Sequence, residues 1–162
     1  MDALLKASRT FDVSMTYDVF LSHSFDDARI VKTVKEMIEE KGHSVYVDWI
    51  EDDHLHRGEV SEKTARILRE RMDRCFSLVY LTSPSAERSL WMPWELGYMD
   101  ARTGKIVIAP ILEANESFQG REYLGLYPYF DLTLGQFYVH RSSSEWVNFD
   151  RWLAGESPKA SS

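Results

Sequence analysis

The segment Phe76-Ser77-Leu78-Val79-Tyr80-Leu81, continued by Ser83-Pro84-Ser85 and Ser89-Leu90-Trp91-Met92-Pro93-Trp94-Glu95-Leu96-Gly97, decides the fold. Its first six residues form a short apolar run rich in β-formers, the pattern of a buried strand. Ser83-Pro84-Ser85 breaks that strand, and Ser89 is placed to cap a helix immediately downstream. Pro93 falls in the first helical turn, where a missing N–H forfeits little intrahelical bonding. Trp91 and Glu95 are four residues apart and so project from one helix face. An acid beside an indole, just past the carboxyl end of a strand, stands where an open α/β sheet holds its ligand. Glu95 is therefore the candidate working residue.

Upstream, Tyr17-Asp18-Val19-Phe20-Leu21-Ser22-His23-Ser24 is a strand ending in small polar residues. Asp26 or Asp27 can cap a helix carrying Ile30, Val31, Val34, Met37 and Ile38 at helical spacing, and Lys41-Gly42 ends it. Ser44 to Ile50 is expected as the second strand, with Asp48 near its end. After a charged loop, residues 51–59, helical spacing returns at Val60, Thr64, Ile67, Leu68, Arg71 and Met72. Downstream, the organising helix runs to Arg102, Thr103-Gly104 closes it, and residues 105–112 form the fourth strand. Strands and helices alternating in this way imply a parallel sheet covered on both faces. Residues 113–130 read mainly as loop, 130–134 as a short fifth strand and 144–153 as a closing helix. This divides the chain into an N-terminal arm (1–16), one domain (17–154) and a flexible tail (155–162).

Composition bounds the function. The 162 residues, 44% hydrophobic and 28% charged, suit one domain that needs neither disulfide nor metal to fold, since a chain this size buries about 68–70% of its unfolded surface. Cys75 is the only cysteine, and the N-terminal residues lack the apolar core of a signal peptide. No apolar run approaches membrane-spanning length. A soluble, cytoplasmic protein with no membrane partner is expected. The net charge of −7 argues against nucleic acid, because Arg66, Arg69, Arg71 and Arg74 are interleaved with Glu62, Glu70 and Asp73.

Three segments together resemble a Toll/interleukin-1 receptor (TIR) domain. The first is Tyr17 to Ser24, similar to the family's opening strand. The second is Asp48 followed by Leu55, Arg57 and Gly58, which resembles the BB loop between the second strand and second helix. The third is Ser89-Leu90-Trp91-Met92-Pro93-Trp94-Glu95-Leu96, similar to the family's serine–tryptophan–glutamate block, with Met92 where a cysteine often stands. The resemblance extends from Tyr17 to Leu112 and is loose beyond.

It implies a flavodoxin-like three-layer α/β sandwich with a mostly parallel central sheet of about five strands. It also implies, as in the NAD-consuming members found as short bacterial and plant proteins, cleavage of the nicotinamide–ribose bond to ADP-ribose or a cyclic relative, in immune or antiphage signalling. Glu95 matches the glutamate that those members require. The BB loop of a neighbouring copy completes their pocket, which implies self-association through TIR–TIR contacts involving Leu55, Arg57 and Gly58, and a downstream effector that senses the product.

The chemistry is coherent in its own right. Ordinary glycosidases use two carboxylates, one of them to protonate a poor leaving group. Nicotinamide leaves NAD+ as a neutral pyridine, so one carboxylate suffices if it binds the ribose hydroxyls and stabilises the developing oxocarbenium charge. The cationic pyridinium can sit on an indole such as Trp91 with about 0.5–2 kcal/mol of cation–π attraction. Asp48 could add a contact at the same sheet edge, and Ser22 and His23 could hydrogen-bond ribose or phosphate. The resemblance thus implies NAD+ as the substrate, and neither a cofactor nor a metal is expected.

Other readings compete. Glu95 could be a helix-start acid favoured by the macrodipole, Trp91 and Trp94 could be packing residues, and Asp48 could simply pair with the charged loop. His54, His56, Asp52, Asp53 and Glu59 have the residue types of a zinc site but lie in one loop with no second cluster of matching spacing. Ser83 and Ser85 lack a nucleophile elbow, and no G-x-G-x-x-G comes after the first strand. A non-catalytic TIR–TIR interaction module fits the same sequence. Asp26, Asp27, Asp48, Thr82 and Lys105 imitate a receiver domain. A nucleoside deoxyribosyltransferase also uses a glutamate on an N-glycosidic bond.

Overall fold

The structure, a computed structural model, describes residues 15–51, 60–83, 86, 89–111 and 122–160. Strand β1 (Tyr17–Ser22) leads through a 3-10 turn (Phe25–Asp27) into α1 (Ala28–Glu40), succeeded by β2 (Val45–Tyr46) and a single turn, α2 (Asp48–Glu51). Next come α3 (Glu62–Met72), β3 (Cys75–Thr82), α4 (Met92–Arg102) and β4 (Ile106–Pro110). A second 3-10 segment (Glu122–Leu126) precedes β5 (Tyr129–Thr133), β6 (Gln136–His140), β7 (Glu145–Asn148), α5 (Phe149–Leu153) and β8 (Lys159–Ala160).

The strands form one sheet in the order β2-β1-β3-β4-β5-β6-β7-β8. The first five are parallel neighbours and the last three are antiparallel additions. Central strands β1 and β3 are apolar on both faces, as strands sandwiched between helices must be. Val19, Leu21, Val79 and Leu81 face Val31 and Ile38 of α1 and Phe149 and Trp152 of α5. Phe20, Leu78 and Tyr80 face Leu68 and Met72 of α3 and Met92, Leu96 and Met99 of α4. The expected α/β sandwich is therefore present, with helices on both sides of the sheet.

Helix boundaries obey local chemistry. Ser61 Oγ accepts from Thr64 N–H at 3.1 Å to cap α3, and Ser89 Oγ accepts from Met92 N–H at 3.2 Å at the start of α4. Gly42 closes α1 at φ 92°, where a side chain would be strained.

Several expectations differ in detail, and the sheet has eight strands where about five were expected. The second strand stops at Tyr46 instead of Ile50, and Asp48 opens a helical turn in which Ile50 N–H donates to the Val47 carbonyl at 3.1 Å. Strand β2 lies at the sheet edge, where short strands are the rule. The helix expected over 144–153 splits into β7 and α5 because Val147 points into the core while Trp146 points out. Asn148 then caps α5 by accepting from Arg151 N–H at 2.9 Å. Strands β5 and β6 make a hairpin across Leu134 (φ 52°) and Gly135 (φ 75°), both left-handed as a two-residue type I′ turn requires. Lys159 and Ala160, placed in the tail by sequence, pair with β7.

Candidate active site

The chain order reverses between β1 and β3, which run parallel as immediate neighbours. Beyond their carboxyl ends lies the crevice where such sheets take ligands. Ser22 ends β1, and its register partner on β3 is Tyr80, so the two side chains share a face. That face is the one covered by α3 and α4.

Glu95 sits in the first turn of α4, and its N–H donates to the Trp91 carbonyl at 2.8 Å. Its side chain is wholly buried, at 0% exposure. A carboxylate is rarely excluded from water so completely without a reason, because desolvating its charge is costly. The helix N-terminus offsets part of that cost with its positive end.

Trp91 is buried beside Glu95 at the helix start and meets Trp94 edge-on, with ring centroids 5.2 Å apart. Trp94 stacks on Tyr98 at 6.1 Å, and the Arg69 guanidinium lies 5.5 Å from its ring centre. The two indoles thus divide. Trp91 stays with the buried acid, and Trp94 packs outward against α3.

Tyr80 is a site residue that sequence reasoning missed. Its hydroxyl is pushed above the ordinary tyrosine range, first by burial, then by Tyr123 and by the negative charge of Glu95. It also shares a hydrogen bond with the Tyr123 hydroxyl. Tyr80 therefore remains a protonated donor at neutral pH and faces the carboxylate across the sheet end. The signal lay in the apolar run 76–81, where Tyr80 alone combines an apolar ring with a polar tip. Tyr123 fell in the stretch 113–130 read as loop, whose local pattern gave no signal.

Ser22 is also fully buried, and its Oγ has no hydrogen-bond partner among the described residues. Next to it, His23 and Asp48 form a buried pair of their own. His23 Nδ1 lies 3.0 Å from the Leu21 carbonyl, which assigns the proton to Nδ1, and Nε2 lies 3.8 Å from Asp48 Oδ1. Ser22, Tyr80, Trp91 and Glu95 thus gather on the α3–α4 face, and His23 and Asp48 stand together beyond β1 and β2. Leu55, Arg57 and Gly58 lie outside the described residues, as do His54, His56, Asp52, Asp53 and Glu59. Among the described residues no three potential metal ligands cluster.

The receiver-like set does not assemble. Lys105 precedes β4, at the end of the strands opposite Asp48, where its Nζ donates to the Trp152 carbonyl at 2.8 Å and lies 4.9 Å from the Trp152 ring centre. Ser83 is likewise engaged, its hydroxyl donating to Asp27 and accepting from Ala86 N–H.

A buried carboxylate, two hydroxyls and an indole suit a polyhydroxylated substrate on which positive charge develops. The carboxylate can hold ribose hydroxyls and oppose an oxocarbenium charge, and the hydroxyls can orient the sugar.

Comparisons with known proteins bear on the family and the fold. The model of the TIR domain family matches residues 19–149. A protein of Bacillus cereus (strain MSX-D12) named probable 3′ cyclic ADP-D-ribose synthase ThsB′ is 48% identical over 158 residues, covering 93% of this chain and 82% of the relative. A putative cyclic ADP-D-ribose synthase, TIR2, of Cytobacillus dafuensis is 35% identical over 83 residues, covering 51% of this chain and 22% of that larger protein. Among solved structures, the TIR domain of the Toll-related receptor TRR-2 from Hydra magnipapillata superposes with a TM-score of 0.52 at 19% identity. That alignment covers 70% of this chain and 82% of the receptor domain, and it bears on the fold alone.

Proposed function

The chain belongs to the TIR domain family, and on that premise we propose that it cleaves the nicotinamide–ribose bond of NAD+ in bacterial immune (antiphage) defence, with Glu95 as the essential acid. The observation that carries this reading is the fully buried Glu95 at the first turn of α4, held beside Trp91 and opposite Tyr80 and Ser22. Relatives named as cyclic ADP-ribose synthases support cyclisation as the outcome.

Glu95 hydrogen-bonds the ribose hydroxyls of the nicotinamide side and stabilises the oxocarbenium charge as the C–N bond lengthens. Nicotinamide departs as a neutral base, so no general acid is needed. Trp91 holds the pyridinium before departure, and Ser22 and Tyr80 orient the ribose. His23 and Asp48 line the same edge and fix the loop after β1. Attack by a ribose hydroxyl or adenine nitrogen of the same molecule gives a cyclic product, whereas water gives ADP-ribose. No cofactor enters this scheme. Residues 51–60 of a neighbouring copy complete the pocket, so activity rises with protein concentration, and an effector downstream senses the product.

Product analysis by chromatography and mass spectrometry tests the proposal. Nicotinamide together with a second product lighter than ADP-ribose by one water would identify a cyclase, and ADP-ribose itself a hydrolase. Turnover of deoxynucleosides without any release of nicotinamide from NAD+ would overturn it.

A further inference from the structure

A second feature lies at the far end of the sheet. The α3–α4 layer covers β1 and β3, and beyond β5 the same sheet face turns toward solvent and carries aromatic rings. Register places Tyr138 opposite Asn148, and Trp146 opposite both His140 and Lys159, so these side chains share one face. Tyr138 and Trp146 meet edge-to-face at 5.2 Å and 88°. They line a cavity of about 520 Å³ with Asn148, Arg151 of α5 and Lys159 of β8. That volume lies in the range of small-molecule sites, about 300–1,000 Å³. The indole of Trp146 is 38% exposed, although an aromatic ring of this size is ordinarily covered.

The charge of the cavity is opposite to that of the molecule. The chain carries −7 overall, yet no carboxylate lines this cavity among the described residues, and two cations do. Arg151 and Lys159 have no ion-pair partner among the described residues. Asp131, on the same face through its register with Tyr138, is turned to His140 Nε2 at 3.5 Å. Flat aromatic walls with two cations and a side-chain amide are suited to a planar ring that carries an anionic group. A long polyanion is disfavoured, since two cations inside a net-negative molecule give little phosphate attraction.

We propose that this cavity is a second binding site, for a nucleotide-type anion, with the base stacked on Trp146 and bordered by Tyr138 at its edge, and the phosphate between Arg151 and Lys159. It is separate from the Glu95 site. Strands β3 and β7 are four steps apart in the sheet, which at about 4.8 Å per step is roughly 19 Å. Occupancy would therefore not compete for the catalytic crevice.

The test uses the full chain carrying Glu95→Gln, with adenosine monophosphate as probe and binding monitored by equilibrium dialysis. Adenosine and inorganic phosphate, each offering half of the recognition, should bind at least about tenfold more weakly. Trp146→Ala should weaken binding about five- to 150-fold, the range for loss of one stacked base. Trp146→Tyr, which keeps an aromatic platform, should stay within about threefold of the parent. The Arg151→Ala/Lys159→Ala pair should weaken binding about tenfold and flatten its salt dependence. Restored to Glu95, these variants should keep the parent rate of NAD+ cleavage. No saturable binding at millimolar probe, or equal affinity in the parent and in variants whose melting temperatures show they are folded, would overturn the proposal.

Discussion

Ser22→Ala separates a hydroxyl kept for the fold from one kept for a ligand. Its Oγ is at 0% exposure with no hydrogen-bond partner among the described residues. A buried hydroxyl in that state costs the folded protein about 1–3 kcal/mol. Deleting it removes one heavy atom, and the small void left behind offsets part of the gain. The net change expected is a stabilisation of about 1 kcal/mol, or an increase of about 2–4 °C in melting temperature for a chain of this length. Catalysis should move the other way. A hydroxyl that bonds the ribose contributes about 0.5–1.5 kcal/mol net, so kcat/KM should fall about two- to twelvefold. Thermal melts and initial rates on the same preparation give both numbers. A lower melting temperature with an unchanged rate would show that Ser22 serves packing alone and would remove it from the site.

Tyr80→Phe keeps the ring but removes the hydroxyl shared with Tyr123 and facing Glu95; melting temperature should fall by about 2–4 °C and kcat/KM by about two- to tenfold, and an unchanged rate would exclude Tyr80 from the site. Alkaline pH should destabilise the fold. Burial raises the Cys75 thiol above its ordinary 9.0, and Tyr80 and Tyr127 lie above their ordinary 10.0, with Tyr127 pushed up to about 12 by burial and by its hydrogen bond to Asp100. The folded state retains these protons after the unfolded chain has released them, so stability is full below about pH 9 and declines as pH rises further. Melts from pH 7 to 11 should show that decline, with Cys75→Ala moving its onset up by about one pH unit; a flat profile would contradict it. Leu68→Ala, at a fully buried position between α3 and the sheet, should cost about 2–5 kcal/mol and about 4–20 °C, and a shift under about 2 °C would show that this core face repacks freely.

The half of the chain that was legible is the half whose pattern is local. Residues 76–81 are apolar almost throughout because β3 is covered on both faces, and Ser89 and Pro93 mark the start of α4. Glu95 could be singled out because a strand end, a cap and an indole all fall within a few residues of it. Tyr80 could not, since its role depends on register with Ser22, 58 positions away in sequence. Strand β7 was hidden for a related reason. Trp146, Val147 and Phe149 suit a helix face as well as an alternating strand, and pairing with β6 and β8 decides between them. Asp48, expected near the end of a strand running to Ile50, instead opens a helical turn, because the edge strand is only two residues long. The segment holding Leu55, Arg57 and Gly58 lies outside the described residues.

The most direct measurement is nicotinamide release from NAD+ by the parent and by Glu95→Gln, with melting curves recorded on both. Replacing the carboxylate by its neutral isostere leaves side-chain volume nearly unchanged while removing the charge that opposes the oxocarbenium ion. Release by the parent, a loss of at least about a hundredfold in the variant, and a variant that melts cooperatively would establish Glu95 as the essential acid. Equal release by two folded proteins would contradict that assignment.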